Sequence, residues 1–177
     1  MEIYVVRHGE TESGKNKIIA DIKEPLNTNG IQQAKNIGKE LCELNIDVVY
    51  YSPIERAEHT LKLFNLNDKI PTIVDERLKE RNMGIYENVK FDALDWEKFW
   101  GYDSEQSYSE LESMKSVYKR VSNFLEELKL KEKNKKVLLV THGGVARAIY
   151  WYFNGVDKSL FKCENCKIYY LIKLYKV

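Results

Sequence analysis

The feature that most constrains this chain is an alternation of short, β-branched apolar runs with turns and amphipathic helical patterns. Residues 3–6, 47–51, 72–74, 137–140 and 168–174 have the length and composition of strands. Ile31, Ala34, Ile37, Leu41 and Leu44 recur every three or four residues, the spacing of one apolar helix face. Ser52-Pro53-Ile54-Glu55 reads as a helix start, with Ser52 as N-cap, Pro53 in the first helical position and Glu55 closing a capping box. Ser109-Glu110-Leu111-Glu112 repeats the signal ahead of a long helix that carries Leu111, Met114, Val117, Val121, Phe124 and Leu128 on one face. A further helix follows Gly143-Gly144 and runs to about residue 153. Strands alternating with helices predict an α/β fold, a three-layer α/β/α sandwich with a mainly parallel sheet. Residues 72–74, after Pro71, read as an edge strand.

A length of 177 residues suits one domain, 1–177, with a small lid-like segment at about 84–109 that is rich in aromatics. The only basic stretch, from Lys129 to Lys136, is diluted by Glu132, and net charge is +1, so no nucleic-acid partner is expected. No apolar run approaches a membrane span, and no membrane partner is expected. The chain opens without a basic-then-apolar leader, and its three cysteines are an odd number; both point to a reducing cytoplasm. A monomer or a homodimer is expected.

Three segments share a layout. Arg7-His8-Gly9 follows the first strand, Ser52 and Arg56 follow the second, and His142-Gly143-Gly144 follows the 137–140 strand. Each tripeptide alone is common in loops. In a parallel sheet, however, all three reach the carboxyl edge, where α/β proteins bind ligands. Two histidines and two arginines then meet beside helix N-termini, which favour an anion. Arginine offers a charged fork matched to phosphate. A neutral imidazole nitrogen can attack phosphorus if its partner nitrogen is held by an acceptor. The set suits phosphoryl transfer without a metal or cofactor.

Several stretches carry a resemblance in order along the chain: Arg7-His8-Gly9-Glu10-Thr11, Pro25-Leu26-Asn27-Thr28 with Gly30 and Gln33-Ala34, Ser52-Pro53 with Arg56-Ala57 and Thr60, Leu78 and Glu80 with Gly84 and Glu87, Thr141-His142-Gly143-Gly144, and Asn165-Cys166. Together they resemble the histidine phosphatase superfamily, the phosphoglycerate-mutase-like proteins, over nearly the whole chain. The resemblance implies a phosphomonoester hydrolase that acts on a small phosphorylated metabolite through a phosphohistidine. It implies His8 as nucleophile, Arg7, Arg56 and His142 holding the phosphoryl oxygens with Thr11 and Gly143 beside them, and Glu80 as general acid and then base. The family often has Asn six residues after the nucleophile; Gly14 stands here, with Asn16 nearby.

Two other readings stay open. A phosphoglycerate-type mutase would return the phosphoryl group to a sugar acid, but such members are longer around the site. A catalytically inactive phosphate- or partner-binding protein draws support from Gly14. Cys163-Glu164-Asn165-Cys166 has C-x-x-C spacing without a second pair and reads as a structural strand entrance rather than a zinc or redox site. His59, a turn beyond Glu55, reads as a packing or surface residue.

Overall fold

The computed structural model describes residues 1–156 and 161–173. Five strands form one sheet: β1 (Glu2–Arg7), β2 (Val48–Tyr51), β3 (Thr72–Val74), β4 (Lys136–Thr141) and β5 (Ile168–Lys173), in the order β3-β2-β4-β1-β5. The first four run parallel, and β5 adds antiparallel to β1. Leu174, expected in the last strand, lies outside the described residues. β3 is exposed at the edge, as its preceding proline predicts.

Strand side chains alternate between faces, and two cores follow from that period of two. Tyr4, Val6, Val49, Leu138 and Val140 face α2 (Thr28–Glu43) and α3 (Glu55–Leu63). Ile3, Val5, Val48, Tyr50, Val137 and Leu139 face α5 (Met114–Lys131) and α6 (Gly143–Asn154). A short α1 (Glu12–Lys15) follows the first strand, and α4 (Trp96–Trp100) sits among 3-10 turns between β3 and α5. The result is the expected three-layer sandwich. All four residues of 137–140 are fully buried, and each contributes about 1.5–3 kcal/mol by leaving water.

Two predicted helix starts are corrected. α3 begins at Glu55 with Ile54 as N-cap and no side-chain cap bond. Ser52 instead accepts the Ile54 N–H at 3.2 Å and bonds His142 Nε2 at 2.8 Å, so its hydroxyl belongs to the sheet edge rather than to a capping box. α5 begins at Met114, capped by Ser113, not at Ser109. Glu110 has φ +57°, which interrupts any helix there. Glu112 is drawn away to Arg120, at 2.9 Å, and to the Asn82 N–H, at 3.0 Å.

The segment at 84–109 is held down by Arg81, which is 2% exposed. Its guanidinium donates to the carbonyls of Glu112 and Phe99 and, at 2.9 Å, to Ser104 Oγ. Phe99 meets Tyr86, Trp100 and Tyr108 edge-on at 5.1–5.7 Å, a favoured aromatic geometry. Phe91, Trp96 and Trp100 face a cavity instead. The aromatic cluster therefore packs the core and lines a pocket at once. The Lys129–Lys136 stretch is tied to acids, with Lys131 on Glu127 and Lys135 on Glu132.

Candidate active site

In register, Arg7 lies beside Thr141, and Val6 and Tyr51 both lie beside Val140. The parallel ladder therefore ends three strands at one level, and the residues after them open on one cavity of about 760 Å³. Arg7, His8, Thr11, Arg56, Glu80 and Gly143 line it. His142 stands directly behind, its ring 5.0 Å from that of His8. Every residue expected at the site is thus at this edge; His59 is not.

His8 is 3% exposed. Its Nδ1 lies 2.7 Å from the Gly9 carbonyl, which selects the tautomer with the proton on Nδ1. Nε2 then carries the lone pair, and it accepts the Arg56 Nε–H at 3.2 Å. Arg56 is fixed in turn by the carbonyls of Asp21 and Ile22, at 2.8 and 3.1 Å. The loop carrying His8 is clamped by Thr60 Oγ1, which accepts the Gly9 N–H, and by Asn165 Nδ2, which donates to the His8 carbonyl. A Cβ on Gly9 would lie 2.5 Å from the Gly30 carbonyl oxygen, so only glycine allows that turn to seat against α2.

Arg7 donates Nη1 to the Cys163 carbonyl at 3.0 Å, while its buried Nε has no acceptor among the described residues. His142 Nδ1 is likewise buried and unpartnered. These two unpartnered nitrogens close to His8 are donors or acceptors that a tetrahedral anion could satisfy. Glu80 is half-buried, and Oε1 accepts the N–H groups of Arg81, at 2.8 Å, and Gly144, at 3.1 Å. A Cβ on Gly144 would sit 2.6 Å from Glu80 Oε1, so the second glycine of the motif is what admits this carboxyl to the helix start. Thr11 Oγ1 accepts the Gly14 N–H at 3.2 Å and caps α1. Asn16 turns away to Glu12, so it does not replace the family's usual asparagine.

Burial, then the charges of Arg56 and Arg7, hold His8 well below the ordinary histidine value of 6.5. Burial, then His8, Arg56 and Arg7, do the same to His142. Both rings are therefore neutral at pH 7. A testable consequence follows. The unfolded chain binds protons at both histidines as pH falls below 6.5, while the folded chain does not. Stability is then full above about pH 6.5 and declines below it, by at most about 2.7 kcal/mol per pH unit for two protons. Melting temperature measured from pH 7.5 to 5.5 should fall, and less steeply with inorganic phosphate present. A flat profile would contradict the buried neutral pair.

The two cysteines flanking Asn165 face opposite cores, Cys163 with the α5–α6 side and Cys166 with the α2–α3 side. Burial pushes both thiols up to about 12. Their backbone frames Arg7: the Cys163 carbonyl takes its guanidinium, and the Cys166 N–H donates to its carbonyl at 3.0 Å. Sequence patterning missed Ser52 as a partner of His142, and Arg81 and Arg147 altogether. Arg147 had a signal: it follows Gly143 by one helical turn and so shares its face.

Fold and site together define an α/β protein with a pocket built around two histidines and two arginines at the carboxyl edge of its sheet. The chain belongs to the histidine phosphatase superfamily (branch 1), whose family profile matches residues 3–173. It is similar to phosphoserine phosphatase 1 of Hydrogenobacter thermophilus, at 28% identity over 94% of this chain and 82% of that protein. It is also similar to the metal-independent phosphoserine phosphatase of Arabidopsis thaliana, at 33% identity over 84% of this chain and 67% of that one. Among solved structures, a histidine-to-alanine mutant of phosphoserine phosphatase from Entamoeba histolytica, in complex with phosphoserine, superposes with a TM-score of 0.80. That pair shares 25% identity over 94% of this chain and 88% of the other.

Proposed function

We propose that this protein is a phosphomonoester hydrolase that works through a phosphohistidine on a small phosphorylated metabolite. The observation that carries the reading is His8: a neutral ring, its lone pair on Nε2, bonded by Arg56 and in the field of Arg7. The substrate phosphate docks on Arg7, Arg56 and His142, with the Thr11 loop and the Gly143 N–H at its edge. It displaces the Arg56 contact from Nε2, and Nε2 then attacks phosphorus in line. The ester P–O bond breaks, and Glu80 donates its proton to the leaving alcohol. The ionised Glu80 next takes a proton from water, whose oxygen attacks phospho-His8. The P–N bond breaks and phosphate departs.

Negative charge growing on the transferred oxygens meets fixed guanidinium groups, which need no reorganisation during the step. No metal is required by this reading; the arginine donors and the name of the Arabidopsis relative support it. Residues 84–109 act as the cover over the leaving group. Phosphoserine, named with all three of the relatives above, is the first candidate substrate.

The test is a rapid denaturing quench of protein mixed with ³²P-labelled phosphoester, kept alkaline because phosphohistidine is acid-labile. Label on His8 that appears and decays at the rate of turnover is the expected result. Steady turnover with no label on the protein would sink the mechanism, and isomer formation without phosphate release would favour a mutase.

A further inference from the structure

The cavity holds a basic group that this chemistry does not use. Arg147 lies on α6 and is 6% exposed. Its guanidinium sits over the Trp100 ring, with Cζ 4.9 Å from the centroid. Nη2 donates to the Phe161 carbonyl at 3.2 Å. Nε and Nη1 are buried with no acceptor, and no ion pair holds Arg147 among the described residues. Arg147 nonetheless lines the same cavity as His8 and Glu80. Burial lowers its pKa to about 10, with Glu80 acting to hold it up, so it is charged at pH 7.

Arg81, across the same indole ring at 5.5 Å, makes the contrast clear. All three of its nitrogens are bonded, to the carbonyls of Glu112 and Phe99 and to Ser104 Oγ. Arg81 is a finished structural contact. Arg147 is not: a buried guanidinium with two idle nitrogens is destabilising unless an oxyanion takes them up. Position gives the idle donors a purpose. A Cβ on Gly143 would face Arg7 and Glu80, and one on Gly144 would face Glu80 and Trp100. Along the start of α6 the order is therefore phosphate-side arginine, carboxyl, indole, then Arg147. Glu80 marks where the leaving oxygen departs, so Arg147 stands on the leaving-alcohol side. The cavity, at about 760 Å³, is larger than a phosphate alone needs.

We infer that Arg147 is the subsite for a second anionic group of the substrate, a carboxylate or a phosphate borne by the leaving alcohol. The inference rests on the proposed cleavage of a phosphomonoester at His8. It narrows the substrate to phosphoesters with a second anionic group and makes Arg147 the residue that selects them.

The test reads binding in His8→Ala protein, where substrate is not consumed, so that catalysis and selection are judged separately. Isothermal titration compares 3-phosphoglycerate with glycerol 3-phosphate, which differ by a carboxylate, and fructose 1,6-bisphosphate with fructose 6-phosphate, which differ by a phosphate. The expected result is a preference of about tenfold or more for the member of one pair that bears the second anionic group, and which pair shows it identifies the group. In His8→Ala/Arg147→Met that preference should fall to within about threefold, with affinity for inorganic phosphate unchanged as the check on folding. Arg147→Lys in the same background should restore part of it. Equal binding within both pairs, or a preference that survives Arg147→Met, would overturn the inference. Absence of turnover by the wild type would instead overturn the catalytic reading and leave this binding ratio standing.

Discussion

Replacing His8 with alanine is expected to lower kcat/KM on every phosphomonoester by about 10⁴-fold or more, because the imidazole proposed to attack phosphorus is gone. The loss should be chemical rather than structural. The Gly9 turn stays clamped by Thr60 and Asn165, which touch backbone and not the ring. Arg7, Arg56 and His142 remain to bind phosphate. The variant should therefore keep its circular dichroism spectrum and an inorganic phosphate affinity within about tenfold of wild type while losing turnover. One buried neutral histidine will also be gone, so the decline of stability below pH 6.5 should become shallower. Retained turnover in His8→Ala would end the phosphohistidine reading.

Glu80→Gln carries the second large effect, and its size should depend on the leaving group. The amide can still accept the Arg81 and Gly144 N–H groups through Oε1, so the position of the side chain is preserved. What disappears is the proton. An alkyl alcohol leaves poorly as an alkoxide, and kcat/KM for alkyl phosphates should fall about 10²–10⁴-fold. p-Nitrophenolate needs no proton, so kcat/KM for p-nitrophenyl phosphate should fall by less than about tenfold. The second half-reaction still needs a base, however. A pre-steady-state burst of nitrophenol, one per site, followed by slow hydrolysis of the phosphoenzyme, is the expected trace. Equal losses on both ester classes would remove Glu80 from the role of acid.

Much of this was legible in the sequence because sheet and site share one cause. The apolar runs at 3–6 and 137–140 can only be buried strands, and their parallel pairing carries Arg7-His8 and His142 to one level without any further information. Arg56 was legible for the same reason. What escaped depends on contacts that no local pattern encodes. Ser52 followed by Pro53 and Glu55 has the chemistry of a helix cap, yet a histidine from another strand lies 2.8 Å from its hydroxyl and takes it. Glu112 has the chemistry of a capping glutamate, yet Arg120 holds it from within the helix it was expected to open. In both cases a tertiary partner outcompeted a local one. Arg81 and Arg147 look alike in sequence, two arginines near glycines. Only the count of their satisfied donors separates an anchor from a subsite.

That anchor has a consequence for how the protein can change. Arg81 grips Phe99 and Glu112 by their carbonyl oxygens, which every amino acid possesses. Apart from Ser104, the grip is indifferent to which side chains the covering segment displays. The segment can therefore exchange residues at positions such as Phe91 and Trp96, which line the same cavity as His8, and on the proposed reading change the molecule it admits while staying fastened. Such an arrangement lets a lineage diversify its substrates by point mutation without rebuilding the machine beneath, and it marks these positions as the place to begin a directed-evolution library.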